Sequence, residues 1–225
     1  MASSLVVFLH GVGSRGADLA PLGRSWRAAL PDTAFAAPDA PEPSEMGGSG
    51  RQWFSIRGVT EANRPARVVA AREGFDGALH AVLKREGFAD RLDRVALVGF
   101  SQGSIMALDA LASGRWPVAA IAAFSGRLAT PEPLAPSLGT RLLLVHGTAD
   151  RMMPVEEAYR AETRLRAGGV AATARILPGV GHTIDAEGAA AAAAFLAEAF
   201  GVDPHAENAS RRPLGAGPAS DPQLN

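Results

Sequence analysis

The stretch VALVGFSQGSIMALDAL, residues 95–111, changes its pattern at Ser101. The residues before the serine form a continuous apolar run, which is typical of a strand buried on both faces. The residues after it have the apolar spacing of a helix. Because parallel sheets are built from buried strands connected by helices, this stretch favours an α/β fold.

Apolar runs of the same kind recur along the chain. They cover residues 5–9, 95–98, 118–123 and 142–145, with 172–177 as a further candidate strand and 34–37 as a weak one. Helix-patterned segments lie between and after them, at residues 19–30, 67–85, 102–112, 155–167 and 186–200. This alternation predicts an open, mostly parallel sheet with helices on both faces.

The length of 225 residues suits one α/β domain with a sizeable core. We predict that this domain covers residues 1–200 and that residues 201–225, rich in polar residues, Pro and Gly, are a flexible tail. Residues 38–64 form a long segment rich in Pro and Gly. A loop of this length in a compact domain is usually functional or disordered, and the sequence leaves open whether it covers a site.

The composition excludes several classes of function. Lys and Arg number 22 against 23 Asp and Glu, so the chain lacks the excess of positive charge that binding to nucleic acid or to an anionic membrane requires. The absence of cysteine excludes disulfides, thiolate catalysis and Cys-ligated metals. The N-terminal apolar run is too short for a signal peptide. We therefore predict a cytoplasmic protein without stable membrane insertion, and a homodimer remains open.

Residues 99–103 match G-x-S-x-G, the nucleophile elbow. In this motif the serine lies on a strained turn from strand to helix, and neighbouring atoms crowd the positions two before and two after it. Only very small residues fit there, which explains Gly99 and Gly103. The pattern alone is weak in a chain rich in Gly and Ser, and a purely structural turn is the alternative. The strand before it and the helix after it favour Ser101 as a nucleophile.

A serine hydroxyl needs a general base to become a useful nucleophile. His182 lies in a glycine-rich loop between a late strand and the last helix, a position suited to that role. The alternative is an ordinary surface histidine. His10 and His146 each precede a glycine at a strand end, and we expect them to brace loops. His80 falls on a predicted helix and His205 in the tail, so we expect both to be exposed.

The base in turn needs a carboxylate to orient it. Asp150 follows the strand at 142–145 and completes the chain order Ser, Asp, His of α/β-hydrolases. Asp185 is nearer to the histidine in sequence, but it occupies the place of a helix N-cap. Asp109 lies on the helix after the serine and is expected to point away. We therefore predict Asp150.

The negative charge that develops on a substrate carbonyl oxygen needs preformed donors. The backbone amide of Gln102, at a helix N-terminus, is one candidate. The amide of Val12, in the glycine-rich loop after the first strand, is the other. Such a loop could instead cradle phosphate, but it has neither a Walker lysine nor a Rossmann-type continuation.

Five sequence blocks together resemble one family. They are FLHGVGSRGADL, RQWFSI, VGFSQGS, LLLVHGTADRMMPVEEA and GVGHTI. In this order they resemble the carboxylesterase and acyl-protein thioesterase family of α/β-hydrolases, also called the phospholipase/carboxylesterase family, over most of residues 5–200. The resemblance implies an α/β-hydrolase fold, no metal or organic cofactor, and hydrolysis of short- and medium-chain carboxylic esters. Some family members cleave thioesters or lysophospholipids.

The resemblance also implies roles for individual residues. Ser101, Asp150 and His182 would form the triad, and the Val12 and Gln102 amides would form the oxyanion hole. Trp53 and Phe54 would lie in the substrate loop, and Met152 and Met153 would line the acyl pocket. Alternatively, the aromatic pair anchors the loop in the core and the methionines fill gaps.

The chain departs from the family pattern at three serines. Ser14 and Ser55 stand where the family usually or often has an acidic residue, and Ser104 stands where a second glycine is common. None of these changes removes a catalytic group, but they leave the substrate open.

We therefore expect a serine hydrolase that cleaves small-molecule carboxylic esters through an acyl-enzyme. A thioesterase, lysophospholipase, lactonase or peptidase built on the same parts is one alternative. A non-catalytic binding module on the hydrolase fold is another.

Overall fold

A parallel six-stranded sheet forms the centre of the computed structural model, which describes residues 2–202. The strands are β1 (Ser4–Leu9), β2 (Thr33–Ala36), β3 (Glu42–Pro43), β4 (Arg51–Gln52), β5 (Val95–Phe100), β6 (Ala120–Phe124), β7 (Arg141–Gly147) and β8 (Ala172–Leu177). The α-helices are α1 (Ala20–Ser25), α2 (Arg64–Glu86), α3 (Gln102–Ala112), α4 (Glu156–Ala167) and α5 (Ala186–Phe200). The central sheet has the order β2-β1-β5-β6-β7-β8, with every neighbouring pair parallel.

Helices cover both faces of this sheet, as predicted. Alternate side chains of β1 show the division: Leu5 and Val7 belong to one apolar core, whereas Val6 and Phe8 belong to the other. The first core receives side chains from α2, α3 and α4. The second receives side chains from α5 and from the residues around the end of α1. Burial on both faces explains why the strands read as continuous apolar runs.

The predicted limits hold for the candidate strand β8 and for two helices, but those of β6 and β7 are shifted by one to two residues. Both α3 and α5 have the predicted limits, and α2 begins three residues earlier than predicted, with a proline in its first turn. The helix predicted at 19–30 is wrong in length, since α1 ends at Ser25 and residues 26–29 form turns. Gly23, in this helix, packs closely against Phe8 and Phe35, and a Cβ at this position would lie 3.1 Å from either side chain. The apolar spacing in the sequence does not record this close contact.

The segment 38–64 contains a small hairpin that the sequence pattern did not predict. Strands β3 and β4 pair in an antiparallel way, but two residues each are too few to show an alternation. The hairpin is attached to the loop after β1, because Arg51 N–H donates to the Ser14 carbonyl at 2.8 Å and Gly13 N–H donates to the Arg51 carbonyl at 2.9 Å. The long segment is thereby held beside the carboxyl edge of the sheet.

The loops that leave β1, β5, β6, β7 and β8 all lie at this carboxyl edge, because the strands are parallel. Open α/β sheets bind ligands at this edge. Among residues 2–202, no helix is both long enough and apolar enough to cross a bilayer. The predicted tail, apart from its first two residues, lies outside the described residues and remains a prediction.

Candidate active site

Ser101 lies on a strained turn between β5 and α3. Its backbone has φ 52° and ψ −113°, a conformation that a residue with a side chain rarely adopts. A Cβ on Gly99 would lie 2.6 Å from the Ser104 backbone, and a Cβ on Gly103 would overlap the Leu9 carbonyl. The two glycines therefore let strand, turn and helix approach closely enough for the serine to stand at the sheet edge.

Three side chains from distant parts of the chain form a continuous hydrogen-bonded series at this edge. His182 Nε2 lies 3.0 Å from Ser101 Oγ, and His182 Nδ1 lies 2.7 Å from Asp150 Oδ2. A proton on Nδ1 that is donated to the carboxylate leaves the Nε2 lone pair free to accept the serine hydroxyl. The structure thus brings together the three residues that the sequence singled out as nucleophile, base and carboxylate.

The loops that carry Asp150 and His182 are bonded to each other. Thr148 N–H donates to the Leu177 carbonyl at 3.0 Å, and Ala149 N–H donates to the Val180 carbonyl at 2.9 Å. Because these loops follow the neighbouring strands β7 and β8, their bonds continue the sheet pairing into the site. The distance between the carboxylate and the imidazole is therefore set by the sheet.

Asp150 is a buried carboxylate held by directional donors. Its Oδ1 accepts the backbone N–H groups of Met152 at 2.9 Å and Met153 at 2.8 Å, while Oδ2 faces His182. Burial alone would raise the pKa of Asp150, but the hydrogen bonds from His182 and Met153 outweigh it and lower the pKa. The carboxylate is therefore ionised at neutral pH and able to stabilise a charged imidazole.

The other candidate carboxylates have different roles. Asp185 caps α5, accepting the Gly188 N–H at 2.9 Å. Asp109 faces away from the edge and binds Arg72 and Arg115. Both observations agree with the reasons for preferring Asp150.

The remaining histidines within the described residues bond to loops or face solvent. His10 is buried, bonding to the Gly11 carbonyl at 2.8 Å and accepting the Ala40 N–H at 3.0 Å, and its burial lowers its pKa. His146 is also buried, with Nε2 2.8 Å from the Met153 carbonyl. His80 is exposed on α2. His205 lies outside the described residues.

Val12 and Gln102, whose backbone amides are the predicted oxyanion donors, line the same cleft as Ser101. Within residues 2–202, neither amide donates to a protein acceptor, and Gln102 is the first residue of α3. Free N–H groups at a helix N-terminus favour negative charge. These two amides are available for an oxyanion.

The side chain of Gln102 has a second connection that the sequence did not reveal. It is buried, its Oε1 accepts the Trp53 N–H at 2.8 Å, and its Nε2 donates to the Phe54 carbonyl at 2.7 Å. The same residue therefore links the serine turn to the long segment 38–64. No local pattern encodes a contact between residues 49 positions apart.

A cleft of about 250 Å³ opens beside Ser101, and we call it the Ser101 cleft. Five other predicted site residues line it: Val12, Phe54, Gln102, Met152 and Met153. Five more lining residues were missed: Ile56, Val59, Arg64, Ile105 and Arg127. Arg127 follows Ser125-Gly126 at the end of β6, so its place at a strand end was a usable signal, whereas the others carry no pattern.

Phe54 and Trp53 differ in their surroundings: one fits the substrate-loop interpretation, and the other fits the core-anchor interpretation. Phe54 lines the Ser101 cleft, but Trp53 does not. The Trp53 ring is buried against Phe75, and its Nε1 donates to the His10 carbonyl at 2.9 Å. The position of Trp53 therefore agrees with the alternative interpretation, in which its indole anchors the long segment in the core, and its predicted part in substrate binding stays a prediction.

Each of the three unusual serines has a specific bond. Ser14 donates to Asp18 at 2.6 Å, and Ser55 donates to Glu45 at 2.9 Å, so a carboxylate lies beside both positions. Ser104 is buried and donates to the Phe124 carbonyl at 2.7 Å. Over the described residues, no three His, Cys, Asp or Glu side chains are grouped to hold a metal.

Comparisons with known proteins agree with this geometry. A model of the family described as Phospholipase/Carboxylesterase matches residues 1–200. The chain is 34% identical to esterase YpfH of Escherichia coli K12 over 184 residues, which cover 82% of this chain and 78% of that protein. It therefore belongs to the phospholipase/carboxylesterase family of α/β-hydrolases, and it is an enzyme of the carboxylesterase class.

Further relatives and solved structures are consistent with this family. The crystal structure of esterase PE8 superposes with a TM-score of 0.79 at 38% identity, covering 88% of this chain and 93% of that one. Acyl-protein thioesterase 1 of Neurospora crassa is 27% identical, over 87% of this chain and 86% of that protein. The resemblance inferred from the five sequence blocks is confirmed, and so is the predicted α/β-hydrolase fold.

Proposed function

We propose that this protein hydrolyses small-molecule carboxylic esters by a double displacement at Ser101. The observation that carries the proposal is the hydrogen-bonded series from Ser101 through His182 to Asp150, with bond lengths of 3.0 and 2.7 Å. A hydroxyl, a neutral imidazole and a buried carboxylate in this order are the parts that acyl transfer requires.

In the first half of the reaction, Ser101 Oγ attacks the ester carbonyl carbon while its proton passes to His182 Nε2. The oxyanion that forms accepts hydrogen bonds from the Val12 and Gln102 amides. The positive imidazole is stabilised by Asp150. When the tetrahedral intermediate collapses, the bond to the alcohol oxygen breaks and His182 returns the proton to that oxygen. The alcohol leaves, and the acyl group remains on the serine.

In the second half, a water molecule attacks the acyl-enzyme as His182 accepts one of its protons. Collapse of the second intermediate returns that proton to Ser101 Oγ and releases the carboxylic acid. The apolar lining of the Ser101 cleft, including Phe54 and Met153, is suited to the carbon chain of an ester. Among the residues that line this cleft, the proposed chemistry uses neither Arg64 nor Arg127.

The test combines covalent labelling with kinetics. A fluorophosphonate should label the wild-type protein, and Ser101→Ala should abolish labelling and lower the rate on 4-nitrophenyl esters by about a million-fold. Ser104→Ala is the matched control, since this serine lies on the same helix but its hydroxyl bonds to Phe124. Ester hydrolysis by Ser101→Ala at close to the wild-type rate would rule the proposal out.

A panel of 4-nitrophenyl esters, acyl thioesters and lysophospholipids separates the esterase from a thioesterase or a lysophospholipase of the same family. An unlabelled but folded wild-type protein would contradict the proposed role of Ser101. The predicted cytoplasmic location and the open question of a homodimer are not addressed by these experiments and stay predictions.

A further inference from the structure

The Ser101 cleft contains two positive charges and no negative one among the described residues that line it. Arg64 and Arg127 are its charged lining residues, and the other side chains are apolar or uncharged. The triad chemistry uses neither arginine. Both arginines also border a neighbouring pocket that contains Glu61 and Glu157, so the acidic groups near them lie outside the Ser101 cleft. A cation that faces a small, largely apolar cleft is costly unless an anion joins it there. We call these two residues the arginine pair.

Arg64, the first residue of α2, has no ionic or hydrogen-bonded partner for its guanidinium within residues 2–202. Its neighbour on the same helix differs, because Arg67 donates to the carbonyls of Ser55 at 3.4 Å and Arg57 at 2.9 Å. An arginine presents five N–H donors, so Arg64 has its full capacity free for a ligand.

The surroundings of Arg64 are unfavourable for its charge. Burial lowers the pKa of Arg64, and the charge of Arg127 lowers it further, while Glu157 and Glu61 act in the opposite direction. The guanidinium still remains protonated at any physiological pH. The positive charge of Arg64 therefore persists in a partly desolvated place, where its attraction for a bound anion is stronger than in water.

Arg127 is only partly satisfied. Its side chain is 13% exposed, its Nη1 lies 3.7 Å from Glu157 Oε1, and its Nε lies 2.8 Å from Met153 Sδ. A thioether sulfur is a weak acceptor. Glu157 also lies 3.3 Å from Arg160, so one carboxylate is shared between two arginines. The donors of the arginine pair therefore exceed the acceptors that the protein supplies.

We propose that Arg64 and Arg127 bind a carboxylate carried by the substrate, so that the preferred esters are anionic. The inference rests on the proposed ester hydrolysis at Ser101. The planar guanidinium fork matches a carboxylate in two parallel hydrogen bonds. Phe54 and Met153 contact the carbon chain between the ester and the carboxylate. The substrate class is thus an ester with a free acid group, on either its acyl or its alcohol side.

Two pairs of esters test this inference, and they show whether the carboxylate lies on the acyl side or on the alcohol side of the ester. The acyl pair is 4-nitrophenyl hemiadipate and its neutral isostere 4-nitrophenyl 6-methylheptanoate. The alcohol pair is 4-acetoxybenzoate and 4-acetoxybenzamide. Because a charge-assisted hydrogen bond typically contributes more than a neutral one, we expect the anionic ester of one pair to be favoured about tenfold in kcat/KM. High salt should reduce this ratio.

The variants Arg64→Gln and Arg127→Gln should each bring the ratio of anionic to neutral kcat/KM close to unity, and Arg64→Lys should retain part of it. Arg166→Gln is the matched control: it removes the same charge from a 65% exposed arginine that pairs with Glu162 and does not line the Ser101 cleft, and it should keep the wild-type ratio. If Arg127→Gln fails to fold, the partly exposed Arg64 carries the test alone.

The inference is overturned if the wild-type protein shows no anionic preference in either pair, or if Arg64→Gln keeps the wild-type ratio. Fluorophosphonate labelling and hydrolysis of the neutral esters report separately on the proposed function. When both of those are present without an anionic preference, only the inference about the arginine pair fails. When both are absent, the proposed function itself fails.

Discussion

Asp150 and Asp109 are both buried carboxylates, and each has a side chain with 0% exposure. They differ in what compensates their charge. Asp109 binds Arg72 in a bidentate pair at 2.9 and 2.9 Å, and it also accepts from Arg115 at 2.8 Å and Thr130 at 2.9 Å. Asp150 accepts two backbone N–H groups and bonds to the imidazole of His182 rather than to a permanent cation, with His146 Nε2 3.5 Å from its Oδ2.

This difference separates a structural carboxylate from one suited to catalysis. At Asp109 the partners are permanently charged, so its charge is neutralised at all times and the network joins α2 to α3. At Asp150 the partners are dipoles and a titratable ring, so its charge is available when His182 gains a proton. Burial alone does not identify a functional acid; the nature of its partners does.

Between the two aspartates, the largest expected effect concerns activity at Asp150. Asp150→Asn should lower kcat on 4-nitrophenyl esters by about ten-thousand-fold, because an amide no longer holds the histidine in the tautomer that accepts the serine proton. Its melting temperature should change little, since Oδ1 can keep its two backbone bonds. Asp185→Asn, the same chemical change at a helix N-cap close to His182, should keep full activity because Asn caps equally well. Equal losses in the two variants would contradict the assignment.

The next effect concerns stability at Asp109. Asp109→Ala should lower the free energy of unfolding by about 3 kcal/mol, because it leaves Arg72 and Arg115 without their buried partner. Urea denaturation measures this change, and the activity of the folded fraction should stay close to wild type. Glu198→Ala, which breaks an exposed pair with Arg141, is the control and should have no measurable effect. An Asp109→Ala variant that is as stable as wild type but inactive would contradict the structural role assigned to Asp109.

The smallest effect is the pH dependence of that stability. Burial would raise the pKa of Asp109, but the hydrogen bonds from Arg72, Arg115 and Thr130 lower it below its ordinary value of 3.8. The unfolded state then binds more protons than the folded state, so this stabilisation is present above pH 3.8 and is lost as the pH falls through the folded pKa. Unfolding curves measured at decreasing pH should show that the gap between wild type and Asp109→Ala stays the same above pH 3.8 and narrows as the pH falls below it. A constant difference would argue against the network.

Local patterns predicted much of the site because each functional group follows a strand. The apolar runs located β5, β7 and β8, and the residues next to their carboxyl ends supplied Ser101, Asp150 and the loop of His182. Parallel strands bring such ends to one edge, so three positions far apart in sequence were predictable neighbours. The hairpin in 38–64 and the length of α1 were not predictable, since two-residue strands and packed turns have no periodicity.

The sequence by itself determined the parallel α/β-hydrolase sheet, the strained serine turn and the family, because buried strands and crowded glycines leave a signature within a few residues. Only the tertiary structure decided which of Trp53 and Phe54 reaches the Ser101 cleft, and which groups surround each buried aspartate. It also decided that Arg64 and Arg127 line the same cleft as the serine. Those outcomes depend on contacts between segments far apart in the chain. Such contacts are set by packing, which no local pattern records.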